Sequence, residues 1–384
     1  MSGRVFQAGG AIPPDSPTYV ERQADGLALL RVQQMEYVHI VVARQMGKTC
    51  LLYRLASRLP PDQYQPVWVD LAGMAGLEMP RWYEAVGEEI GRRLTPVSIP
   101  HLSDQKDLQD YLLSAMQAVA GAHNVVIILD EIDSTRGLHF SDGFFSALRT
   151  LYNRRVEEPC LRHLAFVMVG ATDPRRLIKD PNLSPFNVGE EVRLEEFTAE
   201  ETRRLTDNLS LAAIETDEAT HERIYWWTSG QPYLTQRVCA TLEDWRGLRG
   251  LRQATPELLD QAVEEAILRP AANDSNIAHV KARLELAPGA RAYLQRIFAG
   301  QMIPFEPNGA VNGRLAELHL IGVVKEGPEG NTVVRNRIYE KTVSDYVRLA
   351  SEVEKASLRT RWKSTVGICA IWRSERPCTG WKCL

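Results

Sequence analysis

The chain has 384 residues, with 45 Lys and Arg against 49 Asp and Glu and a formal net charge of −4 at pH 7. That length suits about two or three domains, and 44% hydrophobic with 24% charged residues is the make-up of a globular protein, not a disordered one. The near balance of charge argues against a nucleic-acid binder that works through its whole surface, and no apolar run approaches the roughly 20 residues of a membrane span. The N-terminus lacks the basic and apolar regions of a secretion signal, and the six cysteines are scattered, so a cytoplasmic chain with reduced thiols is expected.

Residues 1–18 hold Gly9-Gly10, Pro13-Pro14 and Pro17 and read as extended and irregular. Residues 37–42 are β-branched and aromatic, which suits a buried strand. Residues 48–59 carry Leu51, Leu52, Leu55 and Leu59 at helical spacing. A second strand is expected at 67–71, helices at 82–94 and 108–120, and a strand apolar on both faces at 124–129. A helix at 144–154, a strand at 164–169 and a short last strand at 192–194 follow. Strands alternating with helices over residues 30–197 predict a parallel α/β sheet. Thr198 with Glu201 forms a capping box, and from there to Ile267 only helices are read. Residues 288–299 form another helix, with Pro288 in its first turn. Residues 315–335 read helix, strand, Gly/Pro turn, strand, which is the layout of a winged helix.

The chemistry concentrates at strand ends. Arg44-Gln45-Met46-Gly47-Lys48-Thr49 joins the first strand to the first amphipathic helix, where backbone N–H groups and the helix dipole can hold phosphate. Lys48 would reach the β/γ-phosphates and the Thr49 hydroxyl would hold Mg²⁺. The full signature wants Gly where this chain has Val42. Asp130 and Glu131 follow the strand at 124–129. Asp130 would bind Mg²⁺ through water and Glu131 would polarise the attacking water, although Asp-Glu pairs also cap strand ends on surfaces. Thr172 and Asp173 end the next strand, where ligands of open α/β sheets bind, and equally fit an N-cap. Arg149 is a candidate charge-stabilising arginine, in cis or across a subunit interface, whereas Arg154 and Arg155 read as solvated charge. In Trp227-Thr228-Ser229-Gly230-Gln231-Pro232-Tyr233-Leu234, Gly230 ends one helix and Pro232 starts the next; Pro232 would also pack on a base.

These segments, together with Ser16-Pro17-Thr18-Tyr19-Val20-Glu21-Arg22, Ser184-Pro185-Phe186-Asn187 and Val334-Arg335-Asn336-Arg337-Ile338-Tyr339-Glu340, resemble the AAA-like domain family of bacterial STAND signalling ATPases, relatives of the AAA+ proteins. The resemblance runs over residues 8–346, and similar members often lack the first P-loop glycine. It implies a P-loop ATPase sheet followed by a helical lid and a winged helix, closing around ATP and Mg²⁺ as a molecular switch. The corresponding boundaries are 1–30 for an extended segment near the nucleotide, 31–197 for the ATPase domain, 198–275 for the lid, 276–346 for the winged helix and 347–384 for a poorly ordered tail. By that resemblance Arg44, Gln45, Met46, Gly47, Lys48, Thr49 and Cys50 bind the cofactor, with Pro232, Tyr19 and Arg22 near the adenine. Thr49 and Asp130 would hold metal and Glu131 would activate water; Thr172, to sense the γ-phosphate or orient the water, and Arg149 are read as catalytic from their own positions.

It further implies slow, regulatory hydrolysis, a homo-oligomer when activated, and a separate effector or sensor protein, since neither is evident in this chain. No membrane is expected. A DNA-binding AAA+ ATPase is the alternative; it fits poorly with a recognition helix at 312–320 that holds Arg314 but also Glu317 and His319. From Ser351 onward there are seven Lys/Arg against three Glu, with Cys369, Cys378 and Cys383 at spacings that make a poor zinc pattern. That stretch reads as a truncated remnant or read-through segment.

Overall fold

The structure, a computed structural model, describes residues 4–94, 101–119, 123–172, 174, 177–178, 180–271, 273–306, 312–350 and 352. Five parallel strands form one sheet: β1 (Val38–Val41), β2 (Tyr64–Asp70), β3 (Asn124–Asp130), β4 (Leu164–Gly170) and β5 (Glu190–Glu191), in the order β2-β3-β4-β1-β5. Side chains alternate between faces, so Val125, Ile127 and Leu129 enter one core while Val126 and Ile128 enter the other. The first core is closed by α3 (Met79–Gly91), α4 (Gln105–Val119) and α5 (Ser141–Asn153); the second is closed by α1 (Gln23–Gln33) and α2 (Lys48–Arg58). Both faces are therefore covered, which is why β3 and β4 are apolar almost throughout. Val41 is paired with Gly170 and Leu129 with Met168, so β4 stands between the tips of β1 and β3.

A third core holds α6 (Ala199–Thr206), α7 (Glu218–Thr228), α8 (Pro232–Arg249), α9 (Pro256–Val263), α10 (Ser275–Glu285), α11 (Pro288–Phe298) and α12 (Gly313–Ile321). It also takes in the antiparallel hairpin β6 (Val324–Glu326) and β7 (Thr332–Val334) and a closing helix, α13, over 337–350. Phe6, Val20 and Phe197 belong to this core too. The N-terminal segment is thus a strap. Its start is fixed to α8, where Glu243 accepts from Val5 N and Phe6 N at 2.8 and 3.0 Å. Its end is fixed to α2, where Arg54 donates to Pro14 O at 2.8 Å and Arg58 pairs with Glu21.

Several boundaries differ from the sequence reading. The extended segment expected to reach residue 30 stops at Arg22, because α1 begins there with an Arg22–Asp25 capping box. Its buried face is largely alanine, Ala24 and Ala28, which gives a weak apolar signal. Helices α3, α4 and α5 start at Met79, Gln105 and Ser141, each three residues before the expected start. The last strand is Glu190–Glu191 instead of residues 192–194; Val192 N still donates to His39 O at 3.0 Å before the chain leaves the sheet. The hairpin's first strand starts at Val324, because Ile321 ends α12 and Gly322 (φ +91°) turns the chain. A boundary at 347 falls inside α13, where Val347 is buried. Asp173 and the tail from residue 353, with Cys369, Cys378 and Cys383, lie outside the described residues.

Candidate nucleotide site

A cavity of about 500 Å³ opens where the strap, the tip of β1 and the start of α8 and α10 meet. Its walls include Arg44, Gln45, Gly47, Lys48, Thr49, Cys50 and Glu131 from the sheet side, Gly9 to Ile12 and Thr18 to Val20 from the strap, and Pro232, Tyr233, Gln236, Ser275 and His279 from the C-terminal helices.

The loop between β1 and α2 has the backbone of an anion cradle. Gln45 (φ +60°) and Gly47 (φ +88°) are left-handed, and α2 has Gly47 as N-cap with no side chain covering its first turn. The uncovered N–H groups and the positive end of the helix dipole face the cavity from that turn. Lys48 is 6% exposed, and its ammonium donates to Val42 O and Ala43 O at 3.2 and 3.1 Å. Burial holds its pKa below the ordinary lysine value, against the pull of Glu131, Asp133 and Asp130. Val42 is buried in the α2-side core, so the residue in place of the usual glycine serves as packing. Met46 is also core, 1% exposed, and turns away from the cavity.

Arg22 lines the cavity and braces the loop: it donates to Met46 O at 2.9 Å and Glu195 O at 3.1 Å and lies over the Phe197 ring. A Cβ at Gly47 would come within 3.0 Å of that guanidinium. Tyr19 lines the cavity with its hydroxyl committed to Asp25, and burial raises its pKa. Cys50 accepts from Ile12 N at 3.3 Å, which pins the strap to α2.

At the tip of β3, Asp130 is 6% exposed and burial pushes its pKa up to about 6. One of its oxygens accepts from Glu131 N at 2.9 Å. Glu131 sits at φ +52° and lines the cavity. The tip of β4 presses on the same turn: Asp133 accepts from Ala171 N at 2.9 Å, and a Cβ at Gly170 would lie 2.6 Å from Ile132. Thr172 is buried just beyond, at the strand end between the lysine and carboxylate strands, but outside the cavity wall. Arg149 is also outside it; its guanidinium donates to Ser184 O at 2.9 Å. Arg155 is not solvated as expected: it donates to Met35 O at 2.7 Å and packs on the Tyr37 and Tyr152 rings.

Among the described residues no group of three or more His, Cys, Asp or Glu could hold a metal. A hydroxyl at Thr49 and a carboxylate at Asp130 do fit Mg²⁺, which uses few protein oxygens and takes the rest from phosphate and water.

Sequence reasoning missed the closing side. Gln231 caps α8 and its Nε2 donates to Gln45 O at 3.3 Å; Gln45 reaches Ser275 at 3.5 Å. His279 faces Arg44 and Lys48, and burial with those charges holds its pKa down to about 4. Gly322 packs on Ala43, and Arg335 joins Glu196, Met46 Sδ and Val324 O. The Gly230–Pro232 turn and the segment 334–340 marked this side in the sequence, whereas single Ser and His residues on helices carry no motif.

A parallel sheet with a Gly-Lys-Thr loop opening α2 is the fold of the P-loop ATPases. The chain belongs to the AAA-like domain family, which it matches over residues 101–340. That stretch includes Asp130, Glu131 and Pro232 and begins beyond the loop at 44–50. An uncharacterized WD repeat-containing protein of Synechocystis sp. is 29% identical over 284 residues, 70% of this chain and 24% of that protein. The chain therefore spans about a quarter of that relative's length. Among solved structures, a Walker-type ATPase of Pyrococcus abyssi matches with TM-score 0.55 and 15% identity, over 90% of this chain and 99% of that one. The ORC2 protein of Aeropyrum pernix, in ADPNP–ADP complexes, matches with TM-score 0.53 and 15% identity, over 91% and 98%. At these identities the likeness shows the fold alone. No helix among the described residues is long and apolar enough to cross a membrane.

Proposed function

We propose that the chain is an ATP-binding and slowly ATP-hydrolysing switch of the STAND type. In this reading residues 31–197 are the ATPase domain, 198–275 a helical lid and 276–346 a winged helix, with the strap as a fourth wall. The observation that carries it is that one cavity is lined by the P-loop, the strap and the C-terminal helices together. A ligand there touches every part whose relative position a switch would change.

The residues divide the work by chemistry. The first-turn N–H groups of α2, Lys48 and Arg44 bind phosphate oxygens. Lys48 leaves its two carbonyl partners to do so, which a strongly charged acceptor makes favourable. Thr49 and Asp130 would hold Mg²⁺, which would offset phosphate charge when bound. Glu131 orients water toward the terminal phosphate, and Thr172 lies at the strand end between them. Pro232 packs on the base, and Tyr19 and Arg22 keep strap and loop in place. Arg149 acts, on this reading, only across an interface between copies. Activation would assemble such copies and engage an effector or sensor protein. The DNA-binding alternative gains nothing from α12, where His319 packs on Phe305 and Arg314 lies near the Tyr293 ring.

Calorimetry with ADP and with ATP plus Mg²⁺, alongside a phosphate-release assay, tests the reading. Lys48→Ala should abolish binding, and Glu131→Gln should bind ATP and stop turnover. Equal affinity of the wild type and Lys48→Ala refutes it.

A further inference from the structure

Met46 is the P-loop residue that stays out of the cavity wall, and two arginines from different parts of the chain hold it. The next residue, Gly47, is the N-cap of α2. Arg22, at the end of the strap, donates to Met46 O and to Glu195 O. Arg335, between the hairpin and α13, points its Nη1 at Met46 Sδ, 3.7 Å away, and with the same nitrogen pairs with Glu196. Strap and C-terminal core thus grip the same two places: the residue before the α2 cap, and the chain leaving the sheet at 195–196.

Arg335 cannot shift apart from its own unit. Its N–H donates to Val323 O at 2.9 Å and its Nη2 to Val324 O at 3.0 Å, while Asn336 beside it accepts from Tyr339 N at 2.9 Å and so caps α13. The side chain is 3% exposed, so bulk water does not stand in for a contact that is lost. The guanidinium therefore carries the position of β6, β7 and α13 to Met46. Gly322 makes a second contact of the same kind: a Cβ there would lie 2.9 Å from Ala43 Cβ, and the Ala43 carbonyl accepts from Lys48. Neither Ala43 nor Met46 lines the cavity. Yet Met46 sets where the first-turn N–H groups of α2 stand, and Ala43 sets where Lys48 rests.

We propose that Arg335 is a positioning residue for the phosphate site: through Met46 it holds the N-terminus of α2 in place, so that phosphate affinity depends on the docking of the β6–β7 hairpin and α13. The proposal rests on the nucleotide reading of the cavity. By linkage, bound nucleotide tightens that docking by the same factor.

Calorimetry with ADP on the full chain tests this, using wild type, Arg335→Lys, Met46→Leu, the double variant and Arg223→Met. Arg335→Lys keeps a charge opposite Glu196 but lacks the planar fork that reaches Glu196, Met46 and Val324 O together. It should weaken ADP binding about 10-fold, within the roughly 5–150-fold of coupled sites, whereas a merely structural ion pair would be rescued by lysine. Met46→Leu conserves core volume, so it keeps the fold, and removes the sulfur; it should weaken binding about 3-fold. The double variant should lose less than the product of the two, because both changes break one contact. Arg223→Met removes an arginine of the same unit that pairs with Asp260 away from the loop, and should leave ADP affinity within about 2-fold of wild type. Met46→Leu and folded Arg335→Lys proteins that bind ADP as tightly as wild type overturn the proposal and leave the nucleotide reading intact. So does a double variant whose loss is the full product, or an Arg223→Met protein weakened as much as Arg335→Lys. Wild type that binds neither ADP nor ATP with Mg²⁺ overturns both.

Discussion

Two glycines with nearly the same backbone separate strain from close approach. Gly230 (φ +73°) and Gly250 (φ +70°) are both left-handed residues that follow helices. A Cβ at Gly250 would meet nothing within 4 Å, whereas one at Gly230 would sit 1.9 Å from Phe197 O and 2.8 Å from Phe197 C. Gly250→Ala should therefore cost only the left-handed conformation, about 1 kcal/mol, less a few tenths for the stiffer unfolded chain. Gly230→Ala carries the same strain and must in addition open the contact by about 1 Å. That breaks the Phe197 N to Gly230 O bond of 2.9 Å and leaves buried backbone groups unpaired, a further loss of about 2–3 kcal/mol. The expected totals are about 1 and about 3–4 kcal/mol, a difference readable in urea unfolding at constant slope. Because Gln231 and Pro232 follow directly, Gly230→Ala should also weaken nucleotide binding, and Gly250→Ala should not. Equal destabilisation by the two variants would refute the role assigned to the Phe197 contact.

Three further outcomes are expected. Arg335→Met leaves the Glu196 carboxylate without its buried partner and should cost about 3 kcal/mol, and adding Glu196→Gln should recover part of it; full additivity in denaturant unfolding contradicts the pairing. His319 and His279 are held at about 4, chiefly by burial, so the unfolded chain takes up their protons from about pH 6.5 and the folded chain only near pH 4. Their contribution to stability is full above pH 6.5 and falls as pH drops toward 4, whereas Asp130, raised to about 6, works the opposite way as pH falls through 6. The melting temperature of His319→Gln should accordingly fall less than that of wild type between pH 7 and 4.5, and parallel curves would exclude the assignment. Phosphate entering beside Arg44, Lys48 and His279 should draw a proton onto His279, so the heat of ADP binding at pH 5.5 should vary with buffer ionisation enthalpy in wild type and less in His279→Gln; buffer-independent heat in wild type argues against that placement.

The sheet was legible because burial on both faces forces near-continuous apolar strands, as in residues 125–129 and 164–169. The loop at 44–50 and the pair Asp130-Glu131 stood out in the sequence as residue types suited to phosphate at strand ends, and in the structure they lie at the tips of β1 and β3. What stayed hidden follows from weak patterns. Helix α1 buries alanines and β5 consists of two exposed glutamates, so neither shows an apolar period. Gln231 and Ser275 meet Gln45 across 186 and 230 residues, and His279 comes to face Arg44 and Lys48 from as far away, so no local spacing records these encounters. Arg155 looked like surface charge because nothing near it in sequence announces that Tyr37 will lie beneath it at 4.9 Å.

The arrangement also bears on how such a switch opens. On the proposed reading, a nucleotide at 100 times its dissociation constant stabilises the closed arrangement by about 2.7 kcal/mol. Reversing a closed population from 99:1 to 1:99 takes about 5.5 kcal/mol. Losing the nucleotide therefore leaves a shortfall of about 3 kcal/mol, taking the difference of those two figures. Direct contacts between the same parts, Gln231 to Gln45 O, Arg335 to Glu196 and Gly322 against Ala43, are part of what holds the closed arrangement. The strap adds to them, since Phe6 is anchored in the C-terminal core and Glu21 on α2. On that reading, losing the nucleotide does not by itself reverse a 99:1 closed population. A second binding event that favours the open arrangement has to contribute the remainder, and the surfaces it must compete with are those that join α8, α10 and the β6–β7 hairpin to the P-loop.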